Sequence, residues 1–150
     1  VMNILKDGPV LAADTFNGWA LSQRAAAKTL EILTRNDGEI YKTMYAQQEK
    51  LMDGLIELAN KHDIKLRIPE NPGCFYTIFG VEGGRKPIYS EADIADLDEN
   101  MCGRFRKLME DHGVLILPEN RWLMSFVLTD DDIEWTLEAA DQVMQIMKES

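Results

Sequence analysis

The stretch HGVLILPENRWLMSFVLTDDDI, residues 112–133, carries two apolar runs, a turn and the start of a helix. Val114–Leu117 and Arg121–Leu128 are apolar enough to form two strands, and the Pro-Glu-Asn between them is typical of a turn. Thr129 precedes three aspartates, and this pattern favours a helix N-terminus, where a hydroxyl caps backbone amides and negative charge is stabilised. The stretch therefore predicts strand, turn, strand and helix in succession.

A similar order of elements precedes it. Ile64–Ile68 alternates in polarity and Cys74–Phe79 is aromatic and β-branched, so each is predicted as a strand. Ser90, three residues before an aspartate, resembles a capping box and starts a predicted helix. That helix ends at Gly113, because glycine tolerates the left-handed conformation after a helix. Residues 63–150 are thus predicted as a ββαββα domain of the α+β kind, with an antiparallel sheet covered by helices.

Two helices without strands of their own are predicted before residue 63. Trp19–Thr34 is rich in strong helix formers, and the next helix has apolar residues at helical spacing and ends near Lys61. We therefore expect two parts in an α/β protein. Residues 1–62 form the end of one domain with a connecting helix, and residues 63–150 form a second, smaller domain.

The composition excludes several classes of partner. A formal net charge of −10 disfavours binding to nucleic acids and to anionic membranes, both of which require basic surfaces. The longest apolar runs are too short to span a bilayer. The two cysteines and two histidines lack the spacing of a metal-ligand set. We expect reduced thiols and a cytoplasmic protein that binds neither metal, nucleic acid nor membrane.

Two positions are candidates for ligand binding. Thr15 lies shortly before a predicted helix, where a hydroxyl and backbone amides can bind a phosphate, although a helix cap is the more common role. Arg121 begins an apolar strand, and its planar guanidinium is suited to a carboxylate. The alternative for Arg121 is a strand-end side chain that extends to water.

The remaining reactive side chains have simpler explanations. His62 and His112 follow helix C-termini, so we predict that they interact with the terminal carbonyls and the helix dipole. Cys74 and Cys102 are predicted to be small buried apolar residues. No residue of this chain is therefore assigned a catalytic role.

Both candidate positions fall in patterns of a known family. Thr15-Phe16-Asn17-Gly18 before an alanine-rich helix resembles the TFxGNP segment of class III aminotransferases, and Arg121–Ile133 resembles their RFxPPLxITxEEI segment. The resemblance extends over essentially the whole chain. It implies a pyridoxal-phosphate (PLP) transferase fold of the aspartate-aminotransferase type. It also implies a homodimer in which Thr15 and Phe16 bind PLP in the neighbouring subunit, and a small amino-acid-like substrate whose carboxylate is held by Arg121.

Within the family, the glutamate-1-semialdehyde aminomutase branch is the most similar, through the strand Gly73–Gly80 and the helix after Tyr89. Two departures leave aminotransferase and aminomutase activity both open. Trp19-Ala20 replaces the usual Asn-Pro, and Met124-Ser125 replaces the paired prolines. The family's Schiff-base lysine, pyridine-nitrogen aspartate and ring-stacking aromatic residue fall before Val1.

We therefore expect this chain to be the C-terminal part of such an enzyme and to be inactive alone. A different class of function stays open beside it, namely a non-catalytic α+β module that binds a ligand or a protein.

Overall fold

A computed structural model describes residue 15, residues 18–69 and residues 71–149. These belong to two compact units, which meet in sequence between residues 39 and 40. In the first unit, helix α1 (Ala20–Leu33) confirms the first predicted helix, and none of its residues is buried. A single turn of 3₁₀ helix (Arg35–Asp37) follows and ends at Gly38 with a φ of 70°. The predicted domain boundary between residues 62 and 63 stays a prediction.

Three α-helices, two short 3₁₀ helices and four short strands form the rest of the described fold. The helices are α2 (Glu39–Lys61), α3 (Glu99–Asp111) and α4 (Asp130–Lys148), and the strands are β1 (Leu66–Arg67), β2 (Cys74–Tyr76), β3 (Ile78–Phe79) and β4 (Arg121–Leu123). Helix α4 begins where it was predicted. Thr129 and Asp132 form a reciprocal capping box that satisfies amides of its first turn.

The strands pair as two antiparallel ladders. β1 pairs with β3, and β2 pairs with β4, so that Phe75 lies opposite Trp122 and their rings stack with centroids 5.5 Å apart. The predicted strand Cys74–Phe79 is therefore divided at Thr77. It changes partner there, from β4 on one side of this residue to β1 on the other.

The core of the second unit lies between the helices and the two ladders. Apolar side chains from all three helices and from the strands are buried in it, which removes apolar surface from water and stabilises the unit. The largest fully buried apolar side chains are Phe75, Phe79, Phe105, Met52, Leu55, Ile68, Met109, Ile133, Met144 and Val143.

Three strand predictions are wrong in extent, and the one at Ile64–Ile68 is observed only as β1 (Leu66–Arg67). Val114–Leu117 is not a strand, although Val114 and Ile116 are buried and Leu115 between them is exposed. The backbone of Leu117 exchanges two hydrogen bonds with that of Arg121 across a tight turn. This isolated bridge does not extend along Val114–Leu117 into a ladder. β4 ends at Leu123. The Met124 amide still donates to the Gly73 carbonyl oxygen, and beyond it the Leu128 amide donates to the Ser125 carbonyl oxygen and closes a turn.

The helix predicted from Ser90 begins later than expected. The capping box at Ser90 is present, but it starts only a short 3₁₀ helix (Glu91–Ile94). The Asp98 amide then donates to the Phe79 carbonyl oxygen at 3.0 Å, and the Asp98 side chain caps α3. Gly80 permits this approach, because a Cβ atom there would clash with the carbonyl oxygen of Asp96.

A buried arginine holds the loop that leads to this 3₁₀ helix. The Arg67 side chain is 7% exposed and donates to the carbonyl oxygens of Lys86, Pro87 and Asp93. A buried guanidinium is costly unless its donors are satisfied, and here three carbonyls satisfy them. Arg67 thereby fixes the path of the chain between β3 and the 3₁₀ helix Glu91–Ile94.

Two helical glycines should respond oppositely to alanine. A Cβ atom at Gly103 in α3 meets nothing within 4 Å, so Gly103→Ala should stabilise by about 0.5–1 kcal/mol through helix propensity. At Gly54 in α2, a Cβ atom would lie 2.6 Å from Leu137 Cδ2. Overpacking there should cost about 1–3 kcal/mol and make Gly54→Ala destabilising. Urea unfolding of both variants checks this, and equal gains would contradict the described packing of α2 on α4.

Glu119 is a non-glycine residue in the left-handed region, with φ 58°. Because its side chain is exposed and the Cβ atom strains this conformation, Glu119→Gly should stabilise by about 0.5–1 kcal/mol despite the greater freedom of glycine in the unfolded chain. Glu138→Gly is the matched control, since Glu138 is exposed in the middle of α4 and should lose about 1 kcal/mol. Thermal unfolding separates the two, and a loss at both positions would show that Glu119 is not strained.

Candidate functional site

Arg121 lies at the start of β4, directly after two left-handed residues. Glu119 and Asn120 have φ values of 58° and 53°, and the backbone of Arg121 is bonded to Leu117 across the turn. In the ladder, Arg121 is the partner of Tyr76. The turn and the ladder together hold the backbone of Arg121 on both sides, so the base of its side chain is fixed in position.

The environment of the Arg121 side chain suits an anionic ligand. The residue is half-buried, and its Nε atom is buried with no hydrogen-bond partner in the part of the chain that the structure describes. A buried donor without an acceptor costs free energy until a ligand supplies one. A carboxylate accepts from a guanidinium in a planar, two-point arrangement, so a carboxylate ligand fits this position.

Thr15 lies in a turn and is exposed. Trp19 is the N-cap residue of α1, so the cap role considered for Thr15 does not fit. The cap makes no side-chain hydrogen bond, and the first turn of α1 has no acidic residue. No side chain of the cap or the first turn therefore accepts a hydrogen bond from the first amides of α1 or offsets the positive end of the helix dipole. A phosphate needs such free amides to bind at a helix N-terminus. Phe16, the other residue predicted to bind the cofactor, lies outside the described residues.

Each histidine has a structural partner, but only His112 bonds to a helix carbonyl as predicted, and the side chain of His62 instead contacts a carboxylate on another helix. His112 Nδ1 lies 2.8 Å from the Leu108 carbonyl oxygen at the end of α3, as predicted for a capping residue. His62 is mostly buried, and its Nε2 atom lies 2.6 Å from Asp141 Oδ1. The ammonium of Lys61 and the ring of His62 both bond to Asp141 and lower the pKa of that carboxyl. The contacts of Lys61 and His62 with Asp141 join the C-terminal end of α2 to α4.

The cysteines and acidic residues show no sign of a metal centre. Both thiols are free and half-buried, and burial raises the pKa of the Cys102 thiol, which makes it less nucleophilic. Among the described residues, no group of three or more His, Cys, Asp or Glu side chains is placed to hold a metal ion. Within the same residues, no helix has the length and apolarity that a membrane crossing requires.

Sequence reasoning missed several buried polar side chains, among them Arg67 and Asn120. The sequence places Arg67 in a predicted strand and assigns it no role. In the structure its side chain holds the loop before the 3₁₀ helix Glu91–Ile94. Asn120 was assigned only to a turn, yet its side chain is 1% exposed and its Nδ2 atom lacks a partner among the described residues. The available signal was weak. Asparagine is common at left-handed turn positions, and nothing local indicates that this one is buried.

Comparison with known proteins identifies the fold. No protein family model matches the sequence. Among solved structures, the chain is similar to an omega-transaminase from Sphaerobacter thermophilus, with a TM-score of 0.72 and 16% identity over 94% of this chain and 32% of that chain. It is also similar to the FumI protein of Sphingopyxis sp. MTA144 in its PLP internal aldimine form, with a TM-score of 0.72 and 21% identity over 93% of this chain and 30% of that chain.

The chain thus spans about a third of the length of these structures. At such identities the similarity shows the fold and not the activity. The chain has the mixed helical and antiparallel architecture of one segment of the omega-transaminase and of the FumI protein, and the fold class predicted from the sequence is confirmed.

Proposed function

We propose that this chain is the C-terminal part of a PLP-dependent aminotransferase or aminomutase that acts on an amino-acid-like substrate. The observation that carries the proposal is the match of more than nine-tenths of the chain to transaminase folds, combined with an unpartnered buried donor on Arg121. The finer assignment, an enzyme related to glutamate-1-semialdehyde aminomutase, rests on the sequence resemblance alone.

The described residues fit a phosphate-bearing cofactor at one position. An exposed threonine hydroxyl precedes a helix N-terminus that has no side-chain cap and no acidic residue in its first turn. In the proposed enzyme, Thr15 donates its hydroxyl hydrogen to the phosphate, and the first amides of α1 stabilise its charge. By the family pattern, this phosphate belongs to the site of the partner subunit in a homodimer, and Phe16 lies beside it. When bound, PLP supplies an electron sink for the substrate carbon.

Arg121 has the second role. The backbone of Arg121 is fixed at the start of β4, and its guanidinium binds the substrate carboxylate, which orients the substrate amino group for reaction. The family's Schiff-base lysine has no counterpart motif among the lysines of this sequence. We infer that these 150 residues bind and orient, and that they do not catalyse the reaction alone.

Thr15→Ala in the longer protein should weaken retention of PLP, because one hydrogen bond to the phosphate is lost. A charge-assisted hydrogen bond is worth about 1.5–3 kcal/mol, so we expect about a 10–100-fold higher Kd for the cofactor. The visible absorbance of the bound cofactor during dialysis is the measurement. Thr29→Ala is the matched control, because the Thr29 hydroxyl bonds only to a carbonyl of its own helix.

The same spectra test the proposed function as a whole. The longer protein should show a visible band with PLP that changes when an amino donor is added, and the 150-residue chain should show none. Absence of the band from the longer protein would contradict the enzyme and favour a non-catalytic binding module. A normal band that Thr15→Ala leaves intact would contradict only the role of Thr15.

Arg121→Lys should raise KM for an amino donor that carries a carboxylate by about 10-fold or more, because lysine cannot make the two-point contact. KM for a simple amine without a carboxylate should change little. Arg104→Lys is the matched control, since the Arg104 side chain donates to carbonyls at the end of α4. Steady-state kinetics with the two donors check the assignment, and equal effects on both would refute it.

A further inference from the structure

A cavity of about 380 Å³ opens between the strand segment β2–β3, the 3₁₀ helix before α3, and α3 itself. This volume lies in the range of small-molecule sites, which are mostly apolar with a few converging polar groups. The walls follow that pattern. Most of the lining surface is apolar and includes the side chains of Tyr76, Ile78, Ile94, Leu97 and Cys102, and several polar side chains complete it.

Asn120 is the buried side-chain amide of the lining. It lines the cavity, its side chain is 1% exposed, and its Nδ2 atom has no hydrogen-bond partner among the described residues. Leaving a buried amide donor unsatisfied is costly, and the great majority of buried polar atoms are paired. The two consecutive left-handed residues Glu119 and Asn120 hold the amide at this position. An acceptor on a bound ligand would satisfy it.

The cation of the cavity is Arg106. Arg106 is half-buried in the lining and makes no ion pair or hydrogen bond within the described chain. Its neighbour on the same helix, Arg104, is engaged by the carbonyl oxygens of Ile146 and Met147. A guanidinium without a partner and an amide donor without an acceptor both favour a carboxylate.

Two carboxylates limit the charge that this cavity accepts. Glu99 and Glu119 also line it, and both are exposed to water. They repel a ligand with several negative charges, such as a phosphate ester or a dicarboxylate. A single carboxylate directed towards Arg106 and Asn120 avoids most of this repulsion, because an exposed charge is screened by water and salt.

We propose that this cavity binds a small monocarboxylate with an apolar body. The carboxylate accepts hydrogen bonds from Arg106 and from the Asn120 amide, and the body packs against Ile78, Ile94 and Leu97. The lining residues have no role in the proposed transaminase chemistry. The proposed carboxylate site is therefore independent of that function.

The test uses the 150-residue chain and the probe 3-phenylpropionate. Alkylation of each cysteine by iodoacetamide at mildly alkaline pH is followed by peptide mass spectrometry. Cys102 lines the cavity, whereas Cys74 lies in β2 and serves as the internal control. We expect the probe to slow alkylation of Cys102 by about 3-fold or more and to leave Cys74 unchanged, as occupancy of one site requires. Unchanged rates at both cysteines would overturn the proposal.

A second ligand tests the recognition of charge. Calorimetric titration should give a Kd for 3-phenylpropionate that is at least about 10-fold lower than for 3-phenylpropylamine, which has the same body and the opposite charge. Equal affinity, or tighter binding of the amine, would show that the glutamates dominate the cavity and would refute a carboxylate site.

Three variants test whether 3-phenylpropionate binds in this cavity. Gly103 lines the cavity and a Cβ atom there meets nothing within 4 Å, so Gly103→Leu fills the space and introduces a better helix former. It should abolish measurable binding. Arg106→Gln and Asn120→Asp should each raise the Kd by about 10-fold or more. Lys107→Gln, an exposed position on the same helix, is the control and should leave the Kd unchanged. Full binding by Gly103→Leu would place the probe elsewhere and refute the proposal, even if Asn120→Asp does not fold.

Discussion

Thr77 joins the two ladders of the second unit, and much of the described fold depends on its hydrogen bonds. It is 1% exposed, its amide donates to the Asn120 carbonyl oxygen, and its hydroxyl accepts a hydrogen bond from Trp122 Nε1 at 3.2 Å. The chain on one side of Thr77 pairs with β4 and on the other with β1. The break at Thr77 therefore divides the predicted strand Cys74–Phe79 between two separate ladders. The buried Thr77 amide still has a backbone partner there, as backbone groups in a core require.

The change of partner at Thr77 also affects the polar residues Asn120 and Arg121 at the start of β4. Because its amide is bonded to Asn120, the turn before β4 is drawn against the sheet, and Glu119 and Asn120 adopt left-handed conformations there. Asn120 is then buried in the lining of a cavity, while the next residue, Arg121, is half-buried at the start of the ladder. Asn120 Nδ2 and Arg121 Nε are therefore adjacent buried donors without acceptors among the described residues. The substrate carboxylate is proposed for Arg121, and a separate monocarboxylate is proposed for Asn120.

The two units differ in how their helices are stabilised. In the second unit, α2 and α4 bury apolar side chains and are joined by the contact of Asp141 with Lys61 and His62. In the first unit, α1 has no buried residue, and surface ion pairs such as Lys28 with Glu31 contribute little. A helix of this kind gains most of its stability from a packing partner. In the proposed enzyme, that partner is the larger remainder of the protein.

Local physical chemistry made several features readable from the sequence. Helical periodicity and strong helix formers gave α1, α2 and α4, because their hydrogen bonds close within a few residues. The capping box of Thr129 and the left-handed Gly113 are local for the same reason. The resemblance of two short segments to a family gave the fold class, and it selected Thr15 and Arg121 as candidates whose roles are proposals.

Tertiary structure alone decided the rest. The strand lengths, the division at Thr77 and the delayed start of α3 follow from hydrogen bonds between residues far apart in sequence, such as Asp98 with Phe79. The burial of Asn120 and the unpartnered donors of Arg121 and Asn120 have the same origin. Whether a polar side chain is satisfied depends on which atoms the folded chain brings to it, and no local pattern of residue types contains that information.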